Sequence, residues 1–177
     1  FTSNIIVDYV GKITVEKFLG FYADFDEETK TATLLAYEEE PFGEDVVIPE
    51  KVSKSSNDES QCIEGNDYTV TVLGERIFES YSITSVIIPN TVTRIEDNAF
   101  EGCMLTTVTI PSSVIYLGEH VFVYCDNLES IIFEDTSNWA VYWYENPTVG
   151  TSVSVGNSVN NVTLLTDTYA SYTWKKS

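Results

Sequence analysis

Positive charge is scarce in this chain. Nine lysines and arginines face 28 aspartates and glutamates over 177 residues, a formal net charge of −19. That sign repels phosphate backbones and excludes nucleic acid as a partner class. The charge itself serves solubility. Long apolar runs are also missing: none approaches the ~20 residues of a membrane span. There is no G-x-S-x-G, H-E-x-x-H, P-loop or dinucleotide fingerprint, so no enzyme chemistry and no cofactor is expected. Paired carboxylates occur everywhere in so acidic a chain and support no glycosidase. The chain begins at Phe1 without an initiator methionine or signal peptide. It reads as a mature or trimmed chain from which targeting information is expected to have been removed.

Cysteine is sparse and odd in number, three in all, whereas a disulfide framework needs an even count. Cys103 and Cys125 stand one repeat apart. Neighbouring parallel strands lie ~4.8 Å apart, and a disulfide needs a Cβ separation of ~3.8 Å. Both are therefore expected as unpaired, buried small hydrophobes. Cys62 falls in a polar stretch and is expected as the free thiol that reacts first.

What the chain does have is a core and a repeat. Its 43% apolar and 13% aromatic content places it with folded chains. Pro89 recurs as Pro111, Ile95 as Leu117, Phe100 as Phe122 and Cys103 as Cys125, each 22 positions on. Such a period implies stacked units that cannot bury their apolar faces alone. The clean copies are residues 82–103 and 104–125. A third starts at 126–135 with one extra residue, so Val108 maps to Ile131. Upstream, 43–52 and 68–81 form the two halves of an earlier unit. Pro49 and Pro89 are 40 apart, which leaves 18 additional residues near 53–67, read as a polar loop.

Within a unit, Ile83, Val86 and Ile88 are expected to point inward from a strand ended by Pro89, which cannot donate to a ladder. The return through Val92, Ile95, Ala99, Phe100 and Cys103 is read as a second extended piece with a short helical turn. Residues 20–37 read as a β-hairpin about the polar turn Asp26–Lys30, with a strand or short helix before it. All three tryptophans, Trp139, Trp143 and Trp174, lie in the tail. The expected architecture is a mainly β solenoid of stacked repeats with short helical turns. Its N-terminal hairpin cap spans 1–42, its repeats 43–135 and its aromatic C-terminal cap 136–177.

The lines ITSVIIPNTVTRIEDNAFEGC and LTTVTIPSSVIYLGEHVFVYC resemble the BspA-like leucine-rich repeat, roughly LxxVxIPxSVxxIGxxAFxxC. Glu96 stands in for its glycine and Val121 for its alanine. The resemblance implies a secreted or cell-surface module of gut-type bacteria, some of which act as adhesins. It implies no catalytic residues. A protein or glycan ligand on host or neighbouring cells would be the partner, and the location would be extracellular.

The best candidate surface is the outward side of the repeat strands. Its columns are Asp45/Ser85/Thr107/Ser130, Val47/Ile87/Thr109/Ile132 and Glu44/Thr84/Thr106/Glu129. A hydroxyl-rich sheet with a central apolar ridge can accept a protein or glycan, although threonine and isoleucine also suit any β surface. Binding is placed on Ser85, Ile87, Thr107, Thr109, Ser130 and Ile132. Trp139 and Trp143, with Tyr142 and Tyr144, form the alternative, a sugar-stacking platform, though aromatics at a repeat end also seal a core. A structural spacer domain is the third reading.

Other features carry less. The single histidine, His120, falls in a polar column with Asn98 and Arg76 and is expected to be exposed. Glu75, Asp97 and Glu119 stack three carboxylates, but a flat ladder encloses no Ca²⁺, so no metal is expected. Glu38-Glu39-Glu40 reads as a solvated run. Asn161-Val162-Thr163 matches a glycosylation sequon.

Overall fold

The computed structural model describes residues 3–7, 13–37, 45–143 and 145–176. Glu38–Glu40, Glu44 and Tyr144 lie outside them. In chain order the strands are β1 (Ser3–Val7), β2 (Ile13–Asp26), β3 (Thr31–Tyr37), β4 (Asp45–Val47), β5 (Lys51–Lys54) and β6 (Gln61–Leu73). There follow β7 (Ser85–Ile87), β8 (Arg94–Ile95), β9 (Thr107–Ile110), β10 (Tyr116–Leu117), β11 (Ser130–Phe133), β12 (Trp139–Trp143) and β13 (Asn146–Ser152). Helix α1 (Ser158–Thr163) runs into a π-helical turn (Leu164–Thr168), and β14 (Tyr172–Lys176) closes the chain.

Two parallel ladders carry the repeat. On one side Val72, Arg94 and Tyr116 pair in turn, as do Leu73, Ile95 and Leu117, through β6, β8 and β10. On the other, Val46 pairs with Val86 and Val108 with Ile131. These are the columns the spacing predicts, including the extra residue before β11. The β4–β7 and β9–β11 pairs are separate two-stranded ladders. Between them the Thr106 N–H donates to the Thr84 carbonyl at 3.4 Å.

Between the ladders each coil fills its own interior. Phe78, Phe100 and Phe122 stack with centroids 5.4 and 5.6 Å apart and planes 11° and 4° from parallel. A repeating aromatic meets a copy of itself, so offset stacking extends from coil to coil. The returning arcs are successive hydrogen-bonded turns rather than helix. Helix cannot propagate there because Asn98 and Gly102 sit at φ 59° and 69°, in the left-handed region. Arg76 and His120, then Ser80 and Tyr124, repeat the same two positions in the coils on either side. The Cys103 and Cys125 thiols donate to the Phe78 and Phe100 carbonyls at 3.1 and 3.0 Å. Both cysteines are buried and unpaired.

The inserted stretch near 53–67 departs from the loop expected of it. β5 and β6 form an antiparallel hairpin, with Lys54 opposite Cys62 and Lys51 opposite Thr69. The register jumps between Val52 and Ser53, so residues 64–67 are surplus on one strand, a bulge-like irregularity. Serines and acids mask the alternation that Val52, Cys62, Tyr68 and Val70 carry, and all four are buried. Cys62 is thus a core side chain, and burial pushes its thiol up to about 12.

At the N-terminal end β2 and β3 pair as a hairpin. The Asp26 carboxylate accepts the Glu28 and Thr29 N–H groups at 2.8 and 2.9 Å and closes the turn. β1 adds antiparallel to β2, and β3 runs parallel to β6. The Phe21 ring meets Phe78 edge-on at 6.1 Å. At the other end β14 pairs with both β10 and β12. The Phe133 ring lies 5.1 Å from Trp139 and 6.5 Å from Trp174.

Candidate functional site

In β4, β7, β9 and β11 the side chains alternate inward and outward, because a strand has a period of two. Val46, Val86, Val108 and Ile131 are buried, as are Ile88, Ile110 and Phe133. Their neighbours face solvent. Val47 and Ile87 are each 61% exposed and Ile132 is 43% exposed, with Thr109 between the last two. The line crosses all four strands, with apolar side chains on β4, β7 and β11 and a threonine on β9. Beside it the Ser85 hydroxyl donates to the Asp45 carboxylate at 2.6 Å, and the Ser130 hydroxyl to Thr107 Oγ1 at 3.2 Å. All six residues placed on this surface from the sequence therefore lie on one face, and both of its serine hydroxyls are given to neighbours on that face. Glu134 occupies the proline column. Its N–H donates to the Ile110 carbonyl at 3.0 Å, which proline could not do. Its carboxylate accepts the Ser112 N–H at 3.0 Å.

The other candidates are dispersed. Trp139 and Trp143 lie four residues apart on the same side of β12, but that side faces the core. Trp139 is 2% exposed, and its indole N–H donates to the Asp135 carbonyl at 3.0 Å. Trp143, 37% exposed, lies just past the core with its ring 5.0 Å from Tyr172. The two make no shared stacking platform. Tyr142 holds the Lys175 ammonium 5.1 Å above its ring.

His120 is half-buried rather than exposed. Its backbone N–H donates to the Ala170 carbonyl at 2.6 Å, and the ring Nε2 lies 2.8 Å from Ser171 Oγ. The tail segment has no counterpart in the earlier coils, where Arg76 and Asn98 hold this place. In the carboxylate column the Asp97 side chain accepts the Glu119 N–H at 2.9 Å, while Glu75 pairs with Arg76. Burial, followed by the Asp97 charge, raises the Glu119 carboxyl above its ordinary value. No cluster of histidine, cysteine and acid side chains among the described residues could hold a metal ion.

Asn161 is 1% exposed, and its amide donates to the Ile131 and Val155 carbonyls at 2.8 and 2.9 Å. The folded chain cannot present this sequon to a glycosylating enzyme. The side chain fastens α1 onto β11, a role that no local pattern announces. In the middle arc the left-handed pair falls on Asn98 and Gly102, residue types that favour that region.

Parallel ladders at a fixed repeat, a stacked phenylalanine column and a solvent-facing strand surface define a leucine-rich-repeat protein. A sequence model described as the BspA type leucine rich repeat region matches residues 45–165 in six copies. The chain belongs to that family. No curated protein matches it. Among solved structures, a leucine-rich repeat protein from Bacteroides capillosus ATCC 29799 is 24% identical with a TM-score of 0.44, over 66% of this chain and 95% of that one. The pneumococcal vaccine antigen PcpA is 18% identical with a TM-score of 0.45, over 76% and 39% respectively. A leucine-rich repeat protein of T. pallidum is 16% identical with a TM-score of 0.42, over 64% and 62%. Among the described residues, no helix is long and apolar enough to cross a membrane.

Proposed function

We propose that this chain is a non-enzymatic interaction module, acting outside the cell or at its surface, that binds a protein partner through the outward face of β4, β7, β9 and β11. The observation that carries this reading is the ridge of Val47, Ile87 and Ile132, exposed in one line on regular strands. Those positions repeat with the coil and have no core duty, so successive coils can share one ligand. Residues 1–42 and 136–177 serve in this reading as caps on the two ends of the repeats at 43–135, because a repeat stack must cover its terminal apolar faces.

Adhesion to matrix proteins or to other cells is the finer form of the proposal. A screen against matrix proteins and a glycan array identifies the class of ligand. Ile87→Lys with Thr109→Lys charges the ridge without emptying the core. This variant is expected to abolish binding to the captured protein with little change in melting temperature. Trp143→Ala is expected to leave binding intact. If the ridge variant binds normally while folded Trp143→Ala does not, the site lies at the aromatic end and the carbohydrate-binding reading replaces this one. If neither proteins nor glycans bind, the domain is a structural spacer.

A further inference from the structure

The ridge face carries charge of one sign. Of its described columns, the charged members are Asp45 and Glu129, and Glu50 and Glu134 follow the strand ends. Between Arg94 and Lys175 the chain holds ten carboxylates and no lysine or arginine. The cations are mostly placed away from this face and engaged there. Lys30 and Lys54 bind Glu27 at 2.7 and 2.5 Å, Arg76 binds Glu79 at 3.1 Å, and Arg94 binds Glu96 at 2.8 Å. Lys176 pairs with Asp135. Among the described cations, Lys51 at the start of β5 is the exception.

The middle of the face offers apolar area, and two of its hydroxyls are engaged within it. The Ser85 hydroxyl is given to Asp45 and that of Ser130 to Thr107. A glycan needs an array of polar partners aimed outward, whereas the ridge presents three aliphatic side chains. Four strands at ~4.8 Å spacing span about 14 Å, the reach of two or three same-side residues of an extended chain at ~6.8 Å per pair. An apolar centre with acidic surroundings is complementary to lysine and arginine at either end of such a segment. Their aliphatic stems can lie along the ridge while the charged heads reach the carboxylates.

We infer that the occupant of this face is a basic protein segment with two or three apolar anchors flanked by lysine or arginine. This rests on the strand face being the binding surface. So small a contact falls below the ~1,000 Å² of a stable complex, so binding is weak, fast and salt-sensitive.

The test uses three capped peptides, Lys-Lys-Ile-Ser-Ile-Lys-Lys, Lys-Lys-Ser-Ser-Ser-Lys-Lys and Glu-Glu-Ile-Ser-Ile-Glu-Glu, titrated into the isotopically labelled chain and followed by NMR. The first is expected to shift the Ile87 and Ile132 signals and to bind about fivefold more weakly when NaCl rises from 20 to 200 mM. In Ile87→Ser with Ile132→Ser, which changes no charge, its affinity is expected to fall about tenfold, equivalent to ~1.4 kcal/mol. If the glutamate peptide binds the ridge as well as the lysine one, the ridge is a binding face but the partner is not basic. The charge inference then falls and the proposed function stands. If the serine peptide matches the isoleucine one, or the double variant changes nothing, the attraction is diffuse and the inference is overturned. Silence from all three peptides at the ridge also overturns it. The module reading then rests on the protein screen alone.

Discussion

Single side chains in this protein are governed by which ladder column they occupy. Ile110 is buried against the adjoining coils while Thr109 points to solvent from the same strand. Ile110→Ala is expected to lower unfolding free energy by ~2–5 kcal/mol, the range for truncating a buried aliphatic side chain. Thr109→Ala is expected to cost under ~0.5 kcal/mol. Denaturant melts of the two variants check this, and equal losses would contradict the register. The thiols follow the same logic. All three cysteines are buried, and burial raises each thiol above its ordinary value. Since the thiolate is the reactive form, none is expected to react with a thiol reagent until the chain unfolds, whereupon all three react together. A single fast-reacting cysteine in the native protein would show that its segment opens independently.

At the scale of elements, one carboxylate ties the tip of the β2–β3 hairpin to β5 and β6. Glu27 accepts from Lys30, Lys54 and the Tyr68 hydroxyl. Those hydrogen bonds, Lys30 first, bring its carboxyl down to about 2 from an ordinary 4.5. A depressed carboxyl contributes stability above its unfolded pKa and loses it as pH falls through the folded one. The tip is therefore expected to loosen between about pH 4.5 and 2. Glu27→Gln, which cannot titrate, should reduce that dependence in hydrogen exchange of β2, β3 and β5, leaving the part due to Asp26. Solvent exposure of the cluster keeps the effect modest. An unchanged acid profile would mean the three contacts carry no coupling. The β5–β6 hairpin and the α1 contact are element-scale features of another kind. Neither repeats, and each is fixed by partners distant in sequence.

For the molecule as a whole, the net charge of −19 sets the balance between self-repulsion and packing. Like charges crowd a compact state more than an extended one, and salt screens them over ~10 Å at 0.1 M. Raising NaCl from 20 to 500 mM is expected to increase the melting temperature by about 2–4 °C, the response of a domain this size to ~1 kcal/mol. A fall instead would mean that the ion pairs at Glu27, Arg76 and Asp135 outweigh the excess of carboxylates. The sequence by itself determined the coil. Val46 lies against Val86, Val108 against Ile131 and Phe100 between two phenylalanines, because a repeated residue packs against its own copy and its partner can be counted off. The outward columns followed from the same period of two. Only the tertiary structure decided the rest. It turned the polar stretch at 53–67 into a hairpin with Cys62 inside it, sank Trp139 while leaving Trp143 half in solvent, buried Asn161 against β11, and drew His120 to Ser171. Each of these groups meets an unlike partner from a segment that does not repeat, so its burial depends on long-range contacts that no local spacing encodes.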